Sequence, residues 1–197
     1  NLGLEDAGVE VDEGVIPVDE RCRTNVEGVY AVGDCAEKRQ YAHLAERMGT
    51  VVGEQVAGRD LRDDRTVVPF AAYTHPEIAA VGLNEAQARD RYGDDVYVGR
   101  YCYSQSGTAA LYGLDLGRVK VVADRRSGRI HGATWAGPRG TDMIHEVALA
   151  MRYGLGLEEI WRTIHAHPSF QQALHAIAEE WTSEHGKGGR SRCFWRK

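Results

Sequence analysis

The chain has 197 residues, 43% of them hydrophobic, with 24 Lys and Arg against 29 Asp and Glu and a formal charge of -5. Such a composition can bury a core, which excludes global disorder, and it holds no run of about 18 apolar residues that would span a membrane as a helix. The acidic body also argues against nucleic acid as the main partner, because phosphate binding needs a basic face.

From the amino end, Val9, Val11, Val15, Ile16 and Val18 are interspersed with acidic residues and punctuated by Gly14 and Pro17, so short strands are expected. Val29, Tyr30, Ala31 and Val32 predict a buried strand ending in a tight Gly33-Asp34 turn. Leu44, Ala45, Met48, Val51, Val52 and Val56 recur with helical spacing, which predicts one amphipathic helix over about 42–56, stopped near Gly58. Residues 59–68 are highly charged and aperiodic, the composition of a domain boundary.

Beyond that boundary the pattern predicts strands at 71–73 and 79–81, then a helix capped by Asn84 and reaching about Tyr92. Strands follow at 96–103, 118–123 and 129–135, the last two joined by a hairpin turn with Gly128. A helix over 140–153 presents Ile144, Val147, Ala148 and Met151 on one face and stops at Gly154. After a helical turn at 157–163, the last helix is expected to start at Pro168 with His167 as its N-cap, and it carries a stripe of Phe170, Leu174, Ile177 and Trp181. The fold class is therefore α+β, an antiparallel sheet with helices on one side. The expected divisions are a leading part at 1–60, a complete domain at 66–182 and a basic, glycine-interrupted tail at 183–197, read as solvated rather than as a binding patch.

The opening NLGLEDAG has neither an initiator Met nor a secretory signal, which suggests a start cut from something longer. Cys22, Cys35, Cys102 and Cys193 are too scattered for a C-x-x-C pair or a zinc knuckle, so they read as reduced thiols of a cytoplasmic protein.

The chain contains no G-x-G-x-x-G, P-loop, G-x-S-x-G or H-E-x-x-H. Asp34, at the end of the expected strand 29–32, stands where α/β sheets bind ligands, although an Asp there also serves simply to cap a turn. His165 and His167 precede the last helix; they form at most half of a metal site, since no third ligand lies nearby, and His167 alone reads equally as a cap.

Residues 24–34, TNVEGVYAVGD, closely resemble the T-x-x-x-x-x-[YF]-A-x-G-D motif of the flavoprotein pyridine nucleotide-disulfide oxidoreductases. That resemblance implies that Gly33 and Asp34 belong to an FAD site, Asp34 holding a ribityl hydroxyl. QYAHLAERMG at 40–49 resembles the family's next helix start, whose backbone N–H groups at Tyr41, Ala42 and His43 would face the flavin pyrimidine edge. HAHPSFQQ at 165–172 resembles the family's H-x-H-P-[TS]-x-x-E motif, fullest in dihydrolipoamide dehydrogenases. The resemblance makes His167 the general base for a substrate dithiol, gives the His165 carbonyl a flavin contact across a homodimer, and makes Gln172 the dyad position. Gln172 departs from the family's Glu: its oxygen can orient the ring but cannot offset an imidazolium charge.

Residues 70–89 and 127–154 resemble the family's interface domain, so a homodimer through 66–182 is implied, preceded by the end of an α/β FAD/NAD-binding domain. The expected function is the carboxyl-terminal part of an FAD-dependent NAD(P)-disulfide oxidoreductase, most like dihydrolipoamide dehydrogenase. A mercuric reductase-like or transhydrogenase-type flavoenzyme, and a non-catalytic dimerisation module, are the alternatives. The redox disulfide and dinucleotide fingerprints of the family are absent, so the chain is not expected to turn over alone.

Overall fold

The structure, a computed structural model, describes residues 2–114 and 116–185. The expected tail beyond His185, with Cys193, lies outside the described residues. Contacts divide the chain into two units, residues 1–65 and 66–197.

The first unit contains α1 (Ala42–Val56). Leu44, Met48 and Val51 form its buried stripe, and Ala57 and Gly58 close its carboxyl end through Gly53 and Gln55 carbonyls. The strands expected before it are not formed. Among the described residues before it, pairing is limited to the bridges Asp12↔Val15 and Arg23↔Tyr30, and Val29 and Val32 are each 37% exposed although Ala31 is buried. A strand needs a ladder on at least one edge, and here only one bridge touches 29–32.

The second unit is built on five antiparallel strands: β1 (Phe70–Ala72), β2 (Ile78–Gly82), β3 (Val96–Cys102), β4 (Arg118–Asp124) and β5 (Ile130–Ala136), in the order β1-β2-β5-β4-β3. Along β4 the two-residue period separates Val119, Val121 and Ala123, in the main core, from Val122, which packs with Ala88 and Val96 under α2 (Glu85–Tyr92). Helix α2 starts at Asn84 in a full capping box with Gln87. The other face is covered by α4 (Gly140–Arg152), α5 (Leu157–Arg162) and α6 (Gln172–His185). Glu77 accepts from the backbone N–H and the hydroxyl of Thr141, placing a carboxylate at the amino end of α4. Gly99 on β3 lets α6 lie close, since a Cβ there would stand 2.2 Å from Ile177 Cγ2.

Three further features differ from expectation: α2 covers the face of the sheet opposite α4, α5 and α6, so helices flank both sides rather than one. A short α3 (Gly107–Leu111), capped by the Ser106 hydroxyl, follows β3 where no helix was expected. And α6 begins at Gln172, so Pro168 is not its first residue and His167 is not its N-cap. The reason is tertiary: the Tyr103 hydroxyl donates to the Phe170 carbonyl at 2.7 Å and Thr108 to the Ser169 carbonyl at 3.2 Å. The same two carbonyls also accept from the Gln172 and Ala173 N–H groups, so the segment ahead of α6 is a tight i→i+3 turn tied down by two side chains from outside it, while the buried Phe170 ring packs on Tyr103 and Tyr112. The stripe Phe170, Leu174, Ile177 and Trp181 is nonetheless buried as its spacing predicts, and the helix continues through Ser183 and Glu184 to His185.

Candidate active site

The expected site residues fall into two groups, one in each unit. In the first, Thr24 closes the turn ahead of Val29: its N–H and hydroxyl both donate to the Val29 carbonyl at 3.0 Å, and its oxygen accepts from the Val26 N–H at 3.1 Å. Residues Gly33–Cys35 then form a 3-10 turn. Gly33 has φ +74° and is buried against α1, where a Cβ would come within 3.1 Å of Ala45 Cβ, so the turn requires glycine. Asp34 is exposed rather than sealed at the end of a buried strand.

Nearby in sequence, the Tyr41 side chain makes no cap hydrogen bond to α1, whose first residues Ala42 and His43 are exposed, and the Tyr41 and His43 rings stack at 5.3 Å. An exposed carboxylate that can accept from a hydroxyl and a helix amino end that favours electron-rich groups fit a polyol chain and the edge of a heteroaromatic ring. Those are two parts of FAD.

The second group lies between α5 and α6. His167 is exposed, and its Nδ1 lies 3.0 Å from Gln172 Oε1. The Ser169 N–H, which can only donate, points to the same Gln172 atom at 3.2 Å, and this identifies that atom as the oxygen. Nδ1 of His167 must therefore donate, which leaves Nε2 of the neutral ring with its lone pair, the form a general base requires. Gln172 orients the ring without charge.

His165 is more enclosed, its side chain 8% exposed. Its Nδ1 meets the Thr163 carbonyl at 2.9 Å and its Nε2 meets Glu146 Oε1 at 3.0 Å; Glu146 also accepts from the Gln171 side-chain amide. Glu146 and Gln171 were not anticipated. Glu146 sits on the polar side of a helix whose apolar spacing carries the visible signal, and a lone carboxylate there looks like any solvated one. Among the described residues no cluster of three or more His, Cys, Asp or Glu could hold a metal ion.

Residues 68–178 match the pyridine nucleotide-disulphide oxidoreductase dimerisation domain, and residues 1–49 match the pyridine nucleotide-disulphide oxidoreductase family. A dihydrolipoyl dehydrogenase of Haloferax volcanii is 41% identical over 180 residues, covering 90% of this chain and 38% of that protein. The Bacillus subtilis dihydrolipoyl dehydrogenase is 36% identical over 179 residues, covering 90% and 38%. The mitochondrial one of Sus scrofa is 38% identical over 175 residues, covering 88% and 34%. Among solved structures, the HOCl-induced flavoprotein disulfide reductase RclA from Escherichia coli aligns with a TM-score of 0.83 at 28% identity, over 90% of this chain and 41% of that one. LpdA from Mycobacterium tuberculosis aligns with a TM-score of 0.83 at 26% identity, over 91% and 39%. The chain spans well under half the length of the curated relatives it matches.

Proposed function

Because the chain belongs to the pyridine nucleotide-disulphide oxidoreductase family, we propose that it is the carboxyl-terminal part of an FAD-dependent, NAD(P)-linked enzyme exchanging electrons with a dithiol or disulfide, as the names of its dihydrolipoyl dehydrogenase relatives suggest. The observation that carries this reading is the His167···Gln172 contact, which leaves Nε2 free to take a proton. When bound, FAD would supply the two-electron exchange between nucleotide and disulfide. Asp34 would accept a hydrogen bond from its hydroxyl chain, and the backbone at Tyr41, Ala42 and His43 would meet its ring edge. His167 would take the thiol proton on Nε2 while Gln172 holds Nδ1, and the His165 carbonyl would contact the flavin of a partner subunit.

A homodimer through residues 66–182 is part of the same reading, supported by the matched dimerisation domain and by the exposed Tyr73, Leu149, Tyr153 and Ile164. A reducing, cytoplasmic setting is supported by the free thiols of Cys22, Cys35 and Cys102.

The test uses the full-length protein that carries this chain. Bound flavin in its absorbance spectrum and NAD+ reduction by dihydrolipoamide are expected, with His167→Gln losing at least about a hundredfold in kcat. Flavin binding without any dithiol turnover would overturn the dithiol assignment. The neutral Gln172 favours a second reading, a mercuric reductase-like or transhydrogenase-type flavoenzyme, which predicts hydride exchange between nucleotides or mercuric-ion reduction in place of dithiol turnover.

A further inference from the structure

One carboxylate from outside the H-x-H-P segment bridges both ends of the loop that bears His167. Glu146, on α4, bonds the His165 ring through Oε1 and the Gln171 amide through Oε2. His165 lies two residues before His167, and Gln171 lies directly before Gln172. The two arms therefore grip the chain beside each member of the His167···Gln172 contact.

The Thr163 carbonyl can only accept, so His165 Nδ1 donates to it. A hydrogen bond at 3.0 Å between His165 Nε2 and Glu146 Oε1 then requires a proton between them, whichever atom bears it. Imidazolium with carboxylate and imidazole with carboxylic acid are both neutral overall, so the pair contributes orientation rather than net charge at His167. Gln171 depends on the same residue: its Oε1 is buried without a hydrogen-bond partner among the described residues, and its Nε2 is held by Glu146.

We propose that Glu146 is a positioning residue for His167, clamping both flanks of the 165–172 loop so that Nδ1 stays on Gln172 and Nε2 keeps its lone pair for a thiol proton. The inference rests on the general-base reading of His167, but its structural part is separable. Glu146→Gln preserves both arms, since its oxygen accepts from Gln171 and its NH2 donates to a neutral His165 Nε2. Glu146→Ala removes both.

In the full-length holoenzyme, Glu146→Ala is expected to lower kcat for dithiol oxidation about tenfold to a hundredfold with KM little changed, as loosened orientation does, and Glu146→Gln to stay near wild type. With 15N-labelled histidine, His167 of the wild type should show the Nδ1–H tautomer, and Glu146→Ala should show exchange between tautomers. If Glu146→Ala does not fold with bound flavin, Gln171→Ala removes a single arm and should show the same changes in smaller degree. Wild-type kcat and tautomer in the alanine variants, or a Glu146→Gln variant as impaired as Glu146→Ala, would overturn the proposal. A wild type without dithiol turnover removes the functional reading, and the tautomer comparison alone then decides whether Glu146 positions the ring.

Discussion

Gln172→Glu tests whether a neutral dyad partner restrains His167 in the base role proposed for it. The Gln172 oxygen already lies 3.0 Å from His167 Nδ1 and 3.2 Å from the Ser169 N–H, so a carboxylate can occupy the same place without moving the loop. What changes is the charge facing the imidazolium formed when His167 takes a proton. A carboxylate attracts the imidazolium and not the neutral ring, and two unit charges about 4 Å apart in water attract by about 1 kcal/mol, so the variant favours the protonated form by about that much. If that gain is fully expressed in the transition state, it corresponds to about a fivefold increase in kcat. Because His167 is exposed, salt will screen part of it. The assay is dihydrolipoamide oxidation by NAD+ in the full-length protein at low and high ionic strength, with Gln172→Ala as the variant that loses orientation as well. Unchanged kcat in Gln172→Glu beside a loss in Gln172→Ala would refute the charge argument and leave orientation as the only role of this position.

Gly99→Ala places a Cβ 2.2 Å from Cγ2 of Ile177, itself 1% exposed, and should cost about 1–3 kcal/mol in urea denaturation; an unchanged midpoint would contradict the close seating of α6 on β3. Asn84→Ala removes the α2 capping box and should cost about 1 kcal/mol by the same measurement. The Glu85 carboxylate, bonded by Lys120, Arg100 and Arg89, is held down to about 2 from an ordinary value of 4.5, with the Lys120 contact the largest cause. A depressed carboxylate stabilises the fold above its unfolded value and loses that effect as pH falls toward its folded one. The Tm difference between wild type and Glu85→Gln should thus be constant above about pH 5.5 and shrink toward pH 2, whereas a pH-independent difference would contradict the linkage.

What was legible in the sequence was mostly local. The bounds of α1 and the Asn84 cap follow from side chains within a few positions of one another, and the helix periods predict which faces are buried. The start of α6 differs because residues 169–173 form i→i+3 turns whose Ser169 and Phe170 carbonyls are also bonded by Thr108 and Tyr103, far back in the chain, and no pattern around Pro168 reports those partners. The 29–32 segment failed for a related reason. Its β-forming residues describe a preference, but a strand also needs neighbours, and the single bridge to Arg23 leaves Val29 and Val32 partly in solvent.

The same distinction runs through the site. His167 and Gln172 are five positions apart and could be paired by motif, yet the direction of the pairing came from the backbone: the Ser169 N–H identifies the Gln172 oxygen and so assigns the proton on His167. Glu146 reaches His165 from another helix, so no motif contains both. A motif can therefore name the group that meets a substrate, because that group has a required chemistry. It cannot name the residue that aims the group, since any side chain of suitable length and hydrogen-bonding capacity, from any neighbouring element, can do that work. The residue at position 146 is thus where variants should separate the orientation of His167 from the base role proposed for it.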